Sequence, residues 1–61
     1  MHRDEAYELL PPLHAVALRL DEAGAPHSVI ADGVGISAQA VPAFLEVARD
    51  KLRRLLDDDP T

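Results

Sequence analysis

Apolar residues recur every three or four positions along almost the whole sequence, which is the spacing of one face of an α-helix. In the first third these residues are Ala6, Leu9, Leu10, Leu13, Val16, Ala17 and Leu20, and in the last third Val41, Phe44, Leu45, Ala48, Leu52, Leu55 and Leu56. Ala, Leu, Arg and Glu are good helix formers, and β-branched residues are few. The sequence therefore predicts an all-α fold, and its 61 residues allow one domain at most.

Prolines divide the first run of apolar residues. Pro11 and Pro12 remove backbone donors and disfavour the helical conformation of the residue before each. We therefore expect an N-terminal helix within residues 1–10, from about residue 4, and a second helix from Pro11 or Pro12 to about residue 23. Gly24 is the expected C-cap of that second helix. One continuous helix, kinked at the prolines, is the alternative.

Two further helices are predicted in the second half. His27 or Ser28 is expected to cap a brief helix that ends at residue 33 or 34, and Gly35 begins a turn. Ser37 is a good N-cap for the final helix, because its hydroxyl can accept from the free amides of the first turn. That helix is expected to reach about residue 56. Residues 57–61 hold three acids and a proline, and they are predicted to form a flexible acidic tail.

The segment 28–45, SVIADGVGISAQAVPAFL, has the spacing of a helix-turn-helix. Ala31 is small where the second helix would cross the first, and Gly35 tolerates the positive φ of a tight turn. The motif also needs apolar side chains at fixed positions that pack the two helices together. Those positions hold Ile30, Val34, Ile36, Val41 and Phe44. The prediction is a small three- to four-helix domain with a helix-turn-helix core over residues 11–56. An ordinary three-helix bundle with a glycine turn is the alternative.

Three stretches carry a resemblance to a known family. LLPPLHAVALRLDEAG, IADGVGISAQAV and ARDKLRRLL, together covering most of residues 10–56, resemble the C-terminal, promoter-reading region of bacterial sigma factors. The same three stretches also resemble the related helix-turn-helix domains of response regulators. The resemblance implies an all-helical fold and, in ordinary members of the family, contacts with the promoter and with RNA polymerase.

The surface that would face DNA departs from that family. Base edges are read by Arg, Lys, Asn and Gln, and phosphates mostly by Arg and Lys. The face offers Ser37 and Gln39, with a basic cluster farther along the helix at Arg49, Arg53 and Arg54. A net charge of −5 also repels the phosphate backbone. We expect those arginines to lie on a solvated face with pairs such as Asp50–Arg54, a phosphate-contacting patch being the alternative.

The rest of this face is small or apolar. The candidates for a protein-contact surface are Pro42, Ala43, Glu46 and Val47. Pro42 is expected about five residues into the final helix, where it would remove a hydrogen bond and bend the axis. The leading hypothesis is an interaction module in transcription-associated regulation that binds DNA at most weakly. The alternatives are a dimeric, sequence-specific DNA-binding regulator and a domain whose neighbours in a longer protein supply the function.

A homodimer is expected from a count of apolar side chains. The predicted core of one chain consists of Leu13, Val16, Leu20, Ile30, Val34, Ile36, Val41, Phe44, Leu45 and Ala48. We expect the apolar residues outside that core to be buried in another contact, because a contiguous exposed apolar patch usually marks an interface. The dimer candidates are Tyr7, Leu10, Leu52, Leu55 and Leu56. In the alternative, the N-terminal helix folds over the same leucines and the chain stays a monomer.

Several function classes are not expected. There is no cysteine and no paired nucleophile and base, and the spacing of His2, His14 and His27 suggests no metal site. These histidines are expected to face solvent or to cap helices. No phosphate loop is present, so neither catalysis nor a cofactor is predicted. No apolar run approaches the roughly 20 residues that cross a bilayer, and no signal peptide is evident, so a cytoplasmic location is expected.

Overall fold

The computed structural model describes residues 2–57 and consists of four α-helices in that range, with no strand. The helices are α1 (Arg3–Leu9), α2 (Pro12–Glu22), α3 (His27–Val34) and α4 (Val41–Asp57), and a short 3-10 turn, Ala38–Ala40, precedes α4. The all-α prediction is confirmed. The predicted acidic tail begins at Asp57, the last residue of α4, and otherwise lies outside the described residues.

The two prolines separate α1 from α2 completely. Leu10 and Pro11 both have extended backbone, with ψ of 152° and 138°. Each of them precedes a proline, whose ring disfavours the helical conformation of its neighbour. Pro12 is then the first residue of α2, where its missing N–H would have had no partner within the helix. The alternative of one kinked helix is wrong.

Two glycines with positive φ end the middle helices. The C-cap of α2 is Ala23 and not Gly24 as predicted, but Gly24 follows it with φ of 83°, and Gly35 has φ of 77° as the C-cap of α3. The Gly35 N–H donates to the Ala31 carbonyl at 2.8 Å, and the Ile36 N–H donates to the same carbonyl at 3.1 Å. Beyond this turn the chain changes direction, so the axes of α3 and of the segment Ala38–Asp57 are bent by 101°.

Both predicted N-caps need correction. The N-cap of α3 is Pro26 rather than His27 or Ser28, because His27 already has helical conformation. Ser37 stands before the 3-10 turn instead of before α4, and its hydroxyl makes no capping hydrogen bond. The turn instead contains a backbone hydrogen bond of 3.0 Å from the Ala40 N–H to the Ser37 carbonyl.

The hydrophobic core draws on all four helices. Its buried residues are Ala6, Tyr7, Leu10, Ala17, Leu18, Ile30, Ala31, Val34, Val41, Leu45, Ala48 and Leu52. The prediction of burial is wrong for two of the core residues, since Leu13 is 51% exposed and Val16 is 39% exposed. The reason is that α2 buries the face that carries Ala17 and Leu18. Leu20, Ile36 and Phe44 are only partly buried at the edge of the core.

The residues predicted to form a dimer interface pack inside one chain. Tyr7, Leu10 and Leu52 are buried, and Leu55 and Leu56 are partly buried against the core. The physical reason is that α1 packs on α4 and covers its C-terminal half. The N-terminal helix therefore folds over these leucines, as the alternative expected, and whether the chain also forms a dimer stays a prediction.

Polar contacts hold α1 against the end of α2. The Tyr7 hydroxyl donates to Glu22 Oε1 at 2.6 Å, and Arg3 pairs with the same carboxylate. The Arg19 guanidinium lies 4.6 Å from the centroid of the Tyr7 ring, within the range of a cation–π contact. Burial of Tyr7 and its hydrogen bond to Glu22 raise the pKa of this phenol. The charged partners thus hold Tyr7 at the α1–α2 junction.

Within residues 2–57, no single helix combines the length and the apolar character needed to cross a membrane. The bent pair formed by α3 and the segment Ala38–Asp57 meets those two criteria only when its members are taken together.

Candidate protein-interaction surface

The first half of α4 presents one exposed face, which we term the outer face. It consists of Pro42, Ala43, Glu46 and Val47, all of them exposed, with Val47 at 50%. These four residues are spaced three and four apart or adjacent, so they lie on the same side of the helix. Val41, Leu45 and Ala48 are buried on the opposite side. The outer face is therefore available to a partner while the other side of α4 belongs to the core.

Pro42 lies in a different part of the helix from the one predicted. Because the 3-10 turn takes up residues 38–40, α4 begins at Val41 and Pro42 is its second residue. The N–H groups of the first turn have no partner within a helix, so proline removes no hydrogen bond at this position. The predicted position about five residues into the helix is therefore wrong, and that position was the reason to expect a lost hydrogen bond and a bent axis. The proline ring adds rigid apolar surface at the beginning of the outer face.

The arginines of the basic cluster are engaged with acids. Arg49 donates to Asp21 Oδ2 at 2.6 Å and so joins α4 to α2. Arg53 donates to Asp50 Oδ1 at 2.7 Å, and Arg54 Nε lies 3.1 Å from Asp50 Oδ2. The predicted Asp50–Arg54 pair is therefore confirmed. These contacts are exposed, so each contributes little to stability, but they place an acid beside every arginine of the cluster.

The predicted DNA-facing residues are spread along α4 and the turn that precedes it. Ser37 and Gln39 are exposed at the turn that precedes α4. Arg53 lies twelve residues beyond Val41, which corresponds to about 18 Å along a helix axis. Arg49 points toward α2, where its partner Asp21 lies. A duplex that contacted the turn would therefore meet the outer face before it met the arginines.

His14 has an environment that the sequence did not indicate. Its ring packs edge-on against Phe44, with 4.9 Å between ring centroids, and its Nδ1 atom is buried with no hydrogen-bond partner among residues 2–57. Burial, and then the positive charge of Lys51, lower the pKa of His14. The prediction of a solvent-facing or capping histidine is wrong here, whereas His2 and His27 are exposed. In the described part of the chain no group of three or more His, Cys, Asp or Glu residues could hold a metal ion.

A small pocket lies between the end of α1 and the C-terminal half of α4, and we term it the α1–α4 pocket. Its volume is about 220 Å³, and its lining residues are Leu9, Leu10, Pro11, Lys51, Arg54 and Leu55. Four of these residues are apolar and two are cationic. No pattern in the sequence indicates this pocket, because the pocket exists only where α1 packs on α4.

Comparison of the chain with protein families, with curated proteins and with solved structures found no match in any of the three. The resemblance of residues 10–56 to sigma-factor regions therefore stays an expectation from the sequence.

Proposed function

We propose that this chain is a sigma-like helix-turn-helix module that binds another protein through the outer face of α4 in transcription-associated regulation. Three features support the helix-turn-helix geometry. Gly35 ends α3 with positive φ, Ala31 is buried, and the axes before and after the turn are bent by 101°. Helices in this motif meet at about 90–120° across a short turn that often contains glycine.

The chemistry of the outer face carries the functional proposal. Pro42, Ala43 and Val47 are exposed and have no hydrogen-bonding side chain, and Glu46 lies among them. A groove-reading face needs Arg, Lys, Asn or Gln for bases and cations for phosphates. Protein interfaces instead have an apolar centre with polar residues at the rim. The outer face fits a protein partner better than it fits DNA.

Electrostatics supports the same proposal. The chain has a net charge of −5, and phosphate contacts supply most of the affinity in non-specific DNA binding. Arg49, Arg53 and Arg54 each have an acidic partner within 3.1 Å. A phosphate group would have to displace Asp21 or Asp50 to reach them. We therefore propose that a DNA-binding regulator is the weaker interpretation, and that the module has no catalytic role and needs no cofactor.

The first test is a fluorescence anisotropy titration of labelled duplex DNA at low salt, where electrostatic binding is strongest. The parent chain should bind weakly and without sequence selectivity. Tight, sequence-selective binding would overturn the proposal and make Gln39 the leading base-contact residue.

A matched pair of variants then tests the geometry. Glu46→Arg and Glu8→Arg make the same change in charge, on the outer face of α4 and on exposed α1 respectively. If α4 occupies the recognition position, Glu46→Arg should gain more DNA affinity than Glu8→Arg, with a steeper dependence on salt. Equal gains would mean that α4 has no special position with respect to a groove.

The partner-binding surface is tested by photo-crosslinking in cells. A photoreactive amino acid at Ala43 should give a discrete crosslinked protein, whereas the same residue at Glu8 should not. Crosslinks that appear equally from both positions would contradict the assignment of the outer face as the partner surface.

A further inference from the structure

The size and lining of the α1–α4 pocket restrict what can occupy it. Its volume of about 220 Å³ is below the roughly 300–1,000 Å³ of typical small-molecule sites. Leu9, Leu10, Pro11 and Leu55 give it an apolar lining, and Lys51 and Arg54 add two cationic groups from α4. The pocket therefore fits a single large apolar side chain that has an acid beside it.

The chain itself displays such a pair on the neighbouring helix. Leu9 is 60% exposed, more than any other large apolar residue among residues 2–57. Glu5, also exposed, lies four residues earlier, and residues at this spacing occupy the same face of a helix. The surface of α1 next to the pocket thus carries an acid and a leucine, the two features that the pocket complements.

We propose that the occupant of the α1–α4 pocket is a second copy of this chain. In a two-fold dimer the same patch is used on both copies, so each contact occurs twice. Leu9 of each copy enters the pocket of the other, and Glu5 of each copy faces Lys51 of the other, since Arg54 is paired with Asp50. The interface is thus centred on leucines and bordered by two sets of opposite charges.

A second copy satisfies more of the observations than a small acidic ligand does. A ligand in the pocket would cover only the side of Leu9 that lines it, whereas the dimer fills the pocket and also buries the rest of the Leu9 side chain. A chain of this length has a small core, and association is a common source of additional stability. This interface shares Leu10 and Leu55 with the set first predicted for a dimer, and it adds Glu5, Leu9 and Lys51. It has no residue in common with the outer face, so either proposal can fail without the other.

Charge-swap variants test the proposal by sedimentation equilibrium over a range of protein concentrations. Glu5→Lys and Lys51→Glu should each weaken self-association, by roughly tenfold at most since exposed ion pairs are weak and each contact occurs twice. The double variant should return close to the parent. Lys51 is chosen because replacing Arg54 would also break its pair with Asp50. Glu8→Lys makes the same charge change as Glu5→Lys on another face of α1 and should have little effect.

The apolar anchor is tested by Leu9→Gln, which should weaken self-association by about a hundredfold because one leucine is lost from each copy. Val29→Gln, at an exposed valine of α3 outside the pocket, is the control. Circular dichroism checks that each variant keeps its helices. A mass of 6.6 kDa at every concentration of the parent chain would overturn the proposal. So would equal effects of Glu5→Lys and Glu8→Lys, or a dimer that Leu9→Gln leaves intact.

Discussion

Substitutions at Gly35 test the turn on which the arrangement of α3 and α4 depends. Gly35 has φ of 77°, and a Cβ atom built on it would have no atom within 4 Å apart from its own neighbours in the chain. A side chain at this position is therefore disfavoured by its own backbone and not by crowding. The left-handed conformation costs an ordinary L-residue about 1–2 kcal/mol. In a chain of this size 1 kcal/mol shifts the melting temperature by about 4–8 °C.

Because the cost is conformational, it should follow the preference of each residue for positive φ. Asn enters the left-handed region more easily than Ala, and a β-branched residue resists it most. We expect destabilisation to increase in the order Gly35→Asn, Gly35→Ala, Gly35→Val. Thermal and urea unfolding followed by circular dichroism measures the series. The m-value should stay constant if only stability changes.

Gly24 supplies a matched control, since it has φ of 83° and equally open space around a built Cβ. Gly24→Ala should therefore cost about as much as Gly35→Ala. If Gly35→Ala were cheaper than Gly35→Asn, side-chain size would set the order and the conformational explanation would be wrong. A Gly35→Val variant that melts within a degree or two of the parent would also refute it.

Three other substitutions give distinct outcomes. Ala31→Leu should destabilise the chain by about 1–3 kcal/mol, measured by urea unfolding, because Ala31 is buried and larger side chains overpack a core. Gly33→Ala should stabilise it by up to about 1 kcal/mol in the same assay. The new Cβ would lie 3.1 Å from Leu20 Cδ1, the end of a flexible, partly buried side chain at the edge of the core. The pKa of His14 is lowered in the folded chain. As pH falls below about 6.5, His14 therefore binds a proton in the unfolded chain before it does so in the folded chain. Stability should therefore fall over that range and then level off below the folded-state pKa. His14→Gln should flatten this part of the profile of unfolding free energy against pH, and a profile that His14→Gln leaves unchanged would contradict this assignment.

The boundaries of the helices could be predicted because local chemistry sets them. Pro11 and Pro12 prevent a helix from passing through, and Gly24 and Gly35 allow the positive φ at which helices end. The 3-10 turn before α4 could not be predicted in this way. A helix that begins at Ser37 and one that begins at Val41 share the same pattern of apolar residues.

The packing of α2 could not be read from periodicity alone. Leu13 and Val16 have helical spacing with Leu20, but the adjacent Ala17 and Leu18 are the residues that α2 buries. A helix with apolar residues on two adjoining faces can bury either one. The choice depends on where the neighbouring helices pack, which is a property of the whole fold.

The same difference applies to the candidate surfaces: features set within one helix could be predicted from the sequence, and features set by the packing of helices could not. Exposure of the outer face was predictable, since its residues alternate with the buried stripe of a single helix. The Asp50–Arg54 pair was predictable from its spacing as well. The Arg49–Asp21 pair joins residues 28 apart in sequence, so only the fold brings them together. The α1–α4 pocket requires the packing of two helices at opposite ends of the chain.

The two proposed surfaces adjoin each other on α4. Val47 of the outer face and Lys51 of the α1–α4 pocket are four residues apart, which places them one turn from each other on the same side of the helix. A large group at Val47 should therefore obstruct a second copy at the pocket. Because the chain has no cysteine, Val47→Cys can be labelled there alone with a bulky maleimide. We expect the label to weaken self-association, measured by sedimentation equilibrium, while the same label on Ala43→Cys, a full turn farther from the pocket, has a smaller effect. Equal effects at the two positions would mean that the surfaces do not adjoin, and that a partner on the outer face would leave the dimer undisturbed.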